Sequence, residues 1–160
     1  MIVAIHADAG PGVGLGHVAR CTGLALALRR QGIIPVMLNA AGSALTAHFS
    51  SHALAELRCE VSVASLQHAV QRVGAQALVA DSYRLDRLDL RRACAGLKLV
   101  WFDDTATQPL AADMVVNGSV AAATLPYDLP QGCVALLGAD YQVVRPGIVA
   151  RDRPGPVRRL

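Results

Sequence analysis

Lysine is almost missing from this 160-residue chain: Lys98 is the only one, and the other basic residues are arginines spread along the sequence. The formal net charge is +3, and charged residues make up only 17% of the chain. Because no stretch concentrates positive charge, the sequence predicts no polycationic surface. Nucleic acid is therefore not an expected partner.

Closely spaced cysteines are also missing. The four cysteines stand more than thirty positions apart, at Cys21, Cys59, Cys94 and Cys133. The chain has no Cys-x-x-Cys pair, which excludes a zinc knuckle and a dithiol redox motif. We expect these thiols to fill space in the core of a protein from a reducing compartment.

Metal-binding clusters are scarce as well. His48 and His52 have the four-residue spacing of a helical metal pair, but the sequence suggests no third ligand. A solvated helix face is the preferred interpretation of these two histidines. No metal and no cofactor is predicted.

Long hydrophobic runs are absent, since no uninterrupted apolar stretch reaches membrane-spanning length. The first residues, MIVAIHADAG, have no basic segment and become polar at His6, so they predict a strand and not a signal peptide. We therefore expect no membrane partner and a cytoplasmic location.

Short apolar runs alternate with amphipathic stretches along most of the chain. The predicted strands are IVAIH, IIPVML, EVSVA, ALVAD, KLVWFDD, DMVVN and CVALLG. Runs such as ALVA and KLVWF are apolar at consecutive positions, which indicates a sheet that helices cover on both faces. The sequence therefore predicts an α/β, Rossmann-like, three-layer parallel sheet flanked by helices.

We expect residues 1–150 to form one domain and 151–160 to form a linker. The last ten residues, RDRPGPVRRL, hold two prolines and four arginines. A nucleic-acid-binding arm is the alternative, but an exposed interdomain linker is preferred.

The first predicted helix follows the first strand and ends at Gly32. Its apolar face is formed by Val18, Cys21, Leu24, Ala25 and Leu28. Gly23 lies inside this helix, where glycine costs about 1 kcal/mol relative to alanine. A close packing contact at Gly23 is therefore expected.

Polar residues collect where the predicted strands end. They are His6 and Asp8 after the first strand, Asp81 and Tyr83 after the fourth, Asp103 and Asp104 after the fifth, and Asn117 after the sixth. Each one alone is equally typical of a helix cap or a turn. Their shared edge favours a ligand site, because open parallel sheets bind ligands outside the carboxyl ends of the strands.

A glycine-rich loop, Gly10-Pro11-Gly12-Val13-Gly14-Leu15-Gly16, joins the first strand to the first helix. Such glycines and the helix amino terminus suit an anionic ligand. The loop has neither the third glycine of the dinucleotide fingerprint nor the Gly-Lys-Ser/Thr of phosphate-binding ATPase loops. Nicotinamide and kinase-like functions are therefore disfavoured.

His17 follows this loop directly and stands in the first turn of the helix. There the helix macrodipole disfavours imidazolium, so we expect a lowered pKa and a neutral ring that accepts a proton. The alternative is a histidine that only caps the helix or packs against the sheet.

Several segments together resemble one enzyme family. HADAG followed by GVGLGHVARC resembles the glycine-rich segment of the pseudaminic-pathway hydrolases that release UDP from UDP-2,4-diacetamido-2,4,6-trideoxy-β-L-altropyranose. VADSY resembles the family's Asp-x-Tyr, WFDDTA its paired aspartates, MVVNGS its strand-ending asparagine, and LLGADYQVVRPGI its Leu-Gly-x-x-Tyr segment ending in Arg-Pro. These segments occur in the family's order and cover most of residues 2 to 148.

The resemblance implies a glycosyltransferase-B (GT-B) arrangement of two Rossmann-like domains, of which this chain is the first. A carboxyl-terminal nucleotide-binding domain is then a missing partner, and this half alone is expected to turn over little. The implied reaction is attack of water on the anomeric carbon of a UDP-linked acetamido sugar, with inversion and without a metal.

The same resemblance implies roles for individual residues. His17 is the base, and Tyr83 helps to place the water. The implied substrate-binding residues are Asp8, Gly14, Gly16, Arg20, Asp81, Asp103, Asp104 and Asn117.

The chain departs from the family pattern at three positions. His6 stands where arginine is usual, Ser82 where histidine is frequent, and Ile148 where an aromatic residue is usual. Two other functions therefore stay open: a UDP-sugar-dependent glycosyltransferase, and a non-catalytic domain that binds nucleotide sugars.

Overall fold

The chain folds around a single seven-stranded parallel sheet. The computed structural model describes residues 1–10, 13, 15–40, 42–144 and 148. The strands are β1 (Ile2–Ala7), β2 (Ile34–Asn39), β3 (Ala55–Arg58), β4 (Ala77–Asp81), β5 (Lys98–Phe102), β6 (Met114–Asn117) and β7 (Val134–Leu137). The order in the sheet is β3-β2-β1-β4-β5-β6-β7, which confirms the predicted parallel α/β architecture.

Helices cover both faces of this sheet. They are α1 (Gly16–Arg30), α2 (Ser43–Ser51), α3 (Val63–Arg72) and α4 (Arg87–Ala93), and two short 3-10 helices follow at Ala122–Thr124 and Ala139–Tyr141. The helices α1 and α2 share a hydrophobic core with Ile5, Met37 and Val79 on one face of the sheet. On the other face, α3 and α4 share a second core with Leu78 and Trp101.

The third strand lies earlier than the sequence pattern predicts. The segment EVSVA was expected to be a strand, but β3 is Ala55–Arg58, and α3 already begins at Val63 after the cap residue Ser62. The hydroxyl of Ser62 accepts a hydrogen bond from the Ser65 backbone at 3.1 Å. Because β3 is an edge strand with exposed ends, its pattern AELR lacks the continuous apolar run of the central strands.

The first helix matches its prediction closely. It ends at Arg30, and Gly32 follows with φ of 74°. The expected close contact at Gly23 is confirmed, because a Cβ built there would lie 2.5 Å from the carbonyl oxygen of Val144. The expected apolar face also packs inward, with Leu24 and Leu28 only partly buried.

All four thiols are free, as expected for cysteines that serve as packing residues. Cys21 and Cys94 are buried in the two cores, and Cys59 and Cys133 are half-buried against one of them. Burial raises the pKa of the Cys21 thiol well above its ordinary value. These thiols are therefore suited to packing and not to reactivity.

The expectation of a solvated face at His48 and His52 is wrong for His48. This ring is half-buried against α1, where its Nε2 lies 3.1 Å from the hydroxyl of Thr22.

Within residues 1–10, 13, 15–40, 42–144 and 148, no three His, Cys, Asp or Glu side chains are grouped to hold a metal ion. In the same ranges no helix has the length and apolarity to cross a membrane. The predicted linker, 151–160, lies outside the described residues.

Candidate active site

The candidate site lies at the carboxyl edge of the sheet, where the first turn of α1 meets the loops after β4 and β5. Side chains alternate between the two faces of a strand, so Asp81 points to the same face as Val79 in the core under α1. His17 and Arg20 are three residues apart on α1 and therefore project from one side of the helix. This geometry brings the three side chains together across more than 60 positions of sequence.

Asp81 is the centre of this cluster. Its carboxylate is buried, with a side-chain exposure of 1%, and Oδ1 lies 2.5 Å from His17 Nδ1. Arg20 donates from Nε to Oδ2 at 2.9 Å and from Nη2 to Oδ1 at 2.7 Å. Burial alone would raise the pKa of Asp81, but the hydrogen bonds from His17 and Arg20 outweigh it and lower that pKa.

The guanidinium of Arg20 joins Asp81 to Asp104. Nη1 and Nη2 donate to the two oxygens of Asp104 at 2.9 and 3.0 Å. The guanidinium carbon also lies 4.6 Å from the centre of the Phe102 ring. Since each of its nitrogens has a carboxylate partner, Arg20 acts here as a bridge and not as an unpaired cation.

The structure corrects the predicted pKa of His17. The helix macrodipole was expected to lower it, but the hydrogen bond to Asp81 raises the pKa of His17 above its ordinary value, against the opposing effect of burial. A direct contact with a buried carboxylate therefore outweighs the partial charge of the helix end. With Nδ1 bound to Asp81, Nε2 is the nitrogen left to accept a proton.

Tyr83 completes one wall of the site. Its hydroxyl donates to Asp104 Oδ2 at 3.2 Å, and its ring meets the ring of His17 edge to face at 5.0 Å. Burial and the nearby Asp104 charge raise the pKa of the phenol. Tyr83 therefore stays protonated and can donate a hydrogen bond at neutral pH.

Asp8 holds the Tyr83 loop from beneath. Its two oxygens accept from the Ser82 hydroxyl and the Tyr83 backbone N–H, both at 2.8 Å. The carboxylate is buried, with 1% exposure, and His6 Nε2 lies 3.4 Å away. His6 was expected to follow the first strand, but it lies inside β1 and is fully buried. The geometry makes Asp8 a positioning residue for Tyr83.

A pocket of about 370 Å³ opens beside this cluster. It is lined by Gly16, His17, Ala19, Arg20, Tyr83, Asp104, Gln142 and Val143. Five residues expected from the sequence therefore share one cavity, with Asp81 directly behind it. Gly14 lies outside the described residues.

Asp103 and Asn117 are buried away from this pocket. Asp103 is bound by both terminal nitrogens of Arg87 at 3.1 Å, and it also accepts from the Thr105 hydroxyl at 3.0 Å. Asn117 donates to the Tyr127 hydroxyl at 2.8 Å, and that hydroxyl donates to the backbone oxygen of Asp103. Both side chains, expected to bind substrate, hold loops in place here.

The Arg87–Asp103 pair supports a first prediction about stability. Changing Arg87 to methionine should lower the free energy of unfolding by about 3–5 kcal/mol, because it leaves a buried carboxylate without its cation. Urea unfolding measures the loss. The matched control is Arg92→Met, because Arg92 is exposed and pairs with Asp89 at 2.9 Å. This change should lower the free energy of unfolding by about 1 kcal/mol or less. Equal losses from Arg87→Met and Arg92→Met would contradict the prediction.

Sequence reasoning missed three residues that line the pocket: Ala19, which lies on α1 between two predicted residues, and Gln142 and Val143. Gln142 and Val143 belong to the segment LLGADYQVVRPGI, so a signal for them was present in the family resemblance. Nothing local in that segment indicates that it returns to α1, because its position depends on where β7 lies in the sheet.

Comparison with known proteins bears on the fold. No protein-family model matches the chain, and no curated protein matches it. Among solved structures, the chain is similar to the crystal structure of Acinetobacter baumannii MurG, with a TM-score of 0.58 over 85% of this chain and 12% sequence identity. The seven-stranded parallel sheet with flanking helices matches the fold of the GT-B amino-terminal domain of MurG.

The likeness confirms the predicted fold class, an α/β, Rossmann-like parallel sheet flanked by helices. The chain spans 44% of the length of the MurG chain. At 12% identity the likeness establishes the fold alone. The choice of reaction therefore depends on the side chains around the pocket.

Proposed function

We propose that this chain is the base-bearing domain of a nucleotide-sugar hydrolase that releases UDP from a UDP-linked diacetamido-trideoxy hexose, as in pseudaminic acid biosynthesis. The observation that carries the proposal is the His17–Asp81 pair, 2.5 Å apart, with His17 on the wall of a pocket at the carboxyl edge of the sheet and Asp81 directly behind it. A histidine oriented by a buried carboxylate is the usual arrangement of a general base.

In the proposed reaction His17 Nε2 removes a proton from a water molecule in the pocket. The water oxygen bonds to the anomeric carbon, and the bond from that carbon to the diphosphate oxygen breaks. The electron pair leaves with UDP, which needs no protonation to depart. Asp81 holds the ring and stabilises the imidazolium that forms, and the proton later passes to solvent.

The polar rim of the pocket suits the sugar. The carboxylate of Asp104 is 35% exposed and accepts hydrogen bonds, one of them from the hydroxyl of Tyr83. A carboxylate repels phosphate but accepts from the N–H and O–H groups of an acetamido sugar. These two residues therefore favour the sugar over the diphosphate as the part of the ligand that enters this pocket.

A UDP-sugar-dependent glycosyltransferase is the second candidate function, because the solved structure that shares the fold, MurG, is a glycosyltransferase. In that reaction an acceptor hydroxyl takes the place of water beside His17. The residues of the pocket are compatible with either nucleophile.

The two functions differ in their need for an acceptor. We expect the full-length gene product to release UDP from the UDP-diacetamido sugar alone, at a rate that no added acceptor raises by more than about twofold. A coupled assay for UDP measures this rate. Release that depends strictly on an acceptor would reject the hydrolase and favour the transferase.

A further inference from the structure

The segment after β7 runs back over the sheet and forms part of the candidate site. We name residues 142–144 the strap. After β7 the chain makes one turn of 3-10 helix, Ala139–Tyr141, and the strap then reaches α1. Gln142 and Val143 line the pocket that also contains His17 and Tyr83. A distant part of the sequence therefore supplies one wall of this pocket.

Two glycines make room for the strap. A Cβ built on Gly118, just after β6, would lie 2.6 Å from Gln142 Cα and 3.0 Å from Gln142 N. A Cβ on Gly23, in α1, would lie 2.5 Å from the Val144 carbonyl oxygen. At Gly118 the side-chain Oε1 of Gln142 is also close, but a Cβ on either glycine would collide with backbone atoms of the strap, which cannot rotate away as the end of a side chain can.

Neither glycine is needed for its backbone conformation. Among the residues that the structure describes, positive φ angles fall on other glycines, such as Gly32 and Gly138, and on Ala53 and Ala106. Alanine is also the better residue inside a helix, so Gly23 weakens α1 locally. The approach of the strap is therefore the physical reason for glycine at Gly23 and Gly118.

We propose that Gln142 is a specificity-determining residue that contacts the sugar. We also propose that Gly23 and Gly118 leave the room that the backbone of the strap needs to hold Gln142 in the pocket wall. This inference rests on the proposed function. The side-chain amide of Gln142 offers donors and an acceptor without charge, which matches the acetamido groups of the ligand. It lines the same cavity as Asp104 and Tyr83, so the three side chains surround one polar ligand group from different elements of the fold.

The first test measures binding by calorimetry in the full-length gene product carrying His17→Asn, so that the sugar is not consumed. Gln142→Ala is expected to weaken the binding of the UDP-diacetamido sugar about tenfold, as for loss of a well-placed hydrogen bond. The binding of free UDP should stay unchanged. Gln71→Ala, an exposed glutamine on α3, is the matched control and should alter neither affinity.

The second test addresses the role of Gly23 and Gly118 and needs no ligand. In the 160-residue chain, Gly23→Ala or Gly118→Ala should speed amide hydrogen exchange at Gln142 about tenfold, because its N–H bond to the Ala139 oxygen, 3.1 Å long, belongs to the displaced turn. Amides of β1 should keep their protection. Unchanged exchange at Gln142 in both variants would overturn the proposal that these two glycines hold the strap in place.

The outcomes separate the two proposals. If the UDP-diacetamido sugar binds and Gln142→Ala leaves its affinity unchanged, the role of Gln142 is rejected and the proposed function stands. If the sugar neither binds nor reacts with the unaltered protein, the proposed function fails and takes the ligand role of Gln142 with it. The exchange experiment then still decides whether the glycines seat the strap.

Discussion

Changing His17 to asparagine in the full-length gene product is expected to lower kcat by about 10²–10⁴-fold, the usual contribution of a general base. Asparagine keeps a polar group of similar size beside Asp81 but cannot accept the proton of the attacking water. The affinity for the UDP-diacetamido sugar should change little, because most ligand contacts remain. Single-turnover kinetics together with calorimetry measures both quantities.

A suitable control is a histidine that lies outside the candidate site. His68 lies on α3, which packs on the opposite face of the sheet, and its side chain is exposed. His68→Asn should leave kcat within about twofold of the unaltered protein. If His17→Asn retains full turnover, His17 only caps or packs and the mechanism proposed here is wrong.

Changing Asp81 to asparagine is expected to have the second-largest effect, a loss of about 100-fold in kcat/KM. Turnover requires neutral His17, so kcat/KM of the unaltered protein should rise with pH through the pKa of His17, which Asp81 raises above its ordinary value. Without this carboxylate the pKa falls, and the rise of the profile moves to lower pH. NMR titration of His17 in the 160-residue chain follows the same shift without any substrate.

Stability provides an independent check on this pair. Because the folded state raises the pKa of His17, the ion pair stabilises the protein fully below the unfolded pKa of about 6.5. This contribution disappears as pH rises through the folded pKa. The stability lost in His17→Asn should therefore be larger at pH 5.5 than at pH 9, as measured by urea unfolding.

The stability lost in Asp81→Asn should also have a part that changes little between pH 5.5 and pH 9. Arg20 remains charged at both pH values, and removal of its buried partner costs about 3–5 kcal/mol. Asp89→Asn breaks a pair between exposed side chains and serves as the control, with an expected loss of about 1 kcal/mol or less. A pH profile of kcat/KM that does not move in Asp81→Asn would contradict the proposed role of Asp81.

The sequence pattern was sufficient for the fold class and for most of its elements. Consecutive apolar residues predicted the central strands because both sides of such strands are buried. The edge strand β3 was misplaced, because Ala55–Arg58 has little burial to impose a pattern. The residues at the strand ends were found because polar groups next to buried runs stand out, whatever their role.

The role of each strand-end residue could not be predicted in this way. Asp103 and Asp104 are adjacent in sequence, yet Asp103 is fully buried against Arg87 and Asp104 lines the pocket. Side chains alternate across a strand, so neighbours face opposite layers. Which layer holds α1 and which holds α4 follows from the topology of the sheet. The contact between His17 and Asp81 depends on the same topology, which is why the pKa of His17 was predicted in the wrong direction.

By itself, the sequence determined the alternation of strands and helices, the need for a close contact at Gly23, and the set of polar residues at one edge. Only the tertiary structure decided that β4 lies beside β1, which brings Asp81 to His17 and Arg20. It also decided that the strap returns to α1 and adds Gln142 to the pocket. Local periodicity shows which residues of one helix or strand are buried. Contacts between elements depend on the order of the strands and on the face of the sheet that each helix covers, and no short segment encodes either.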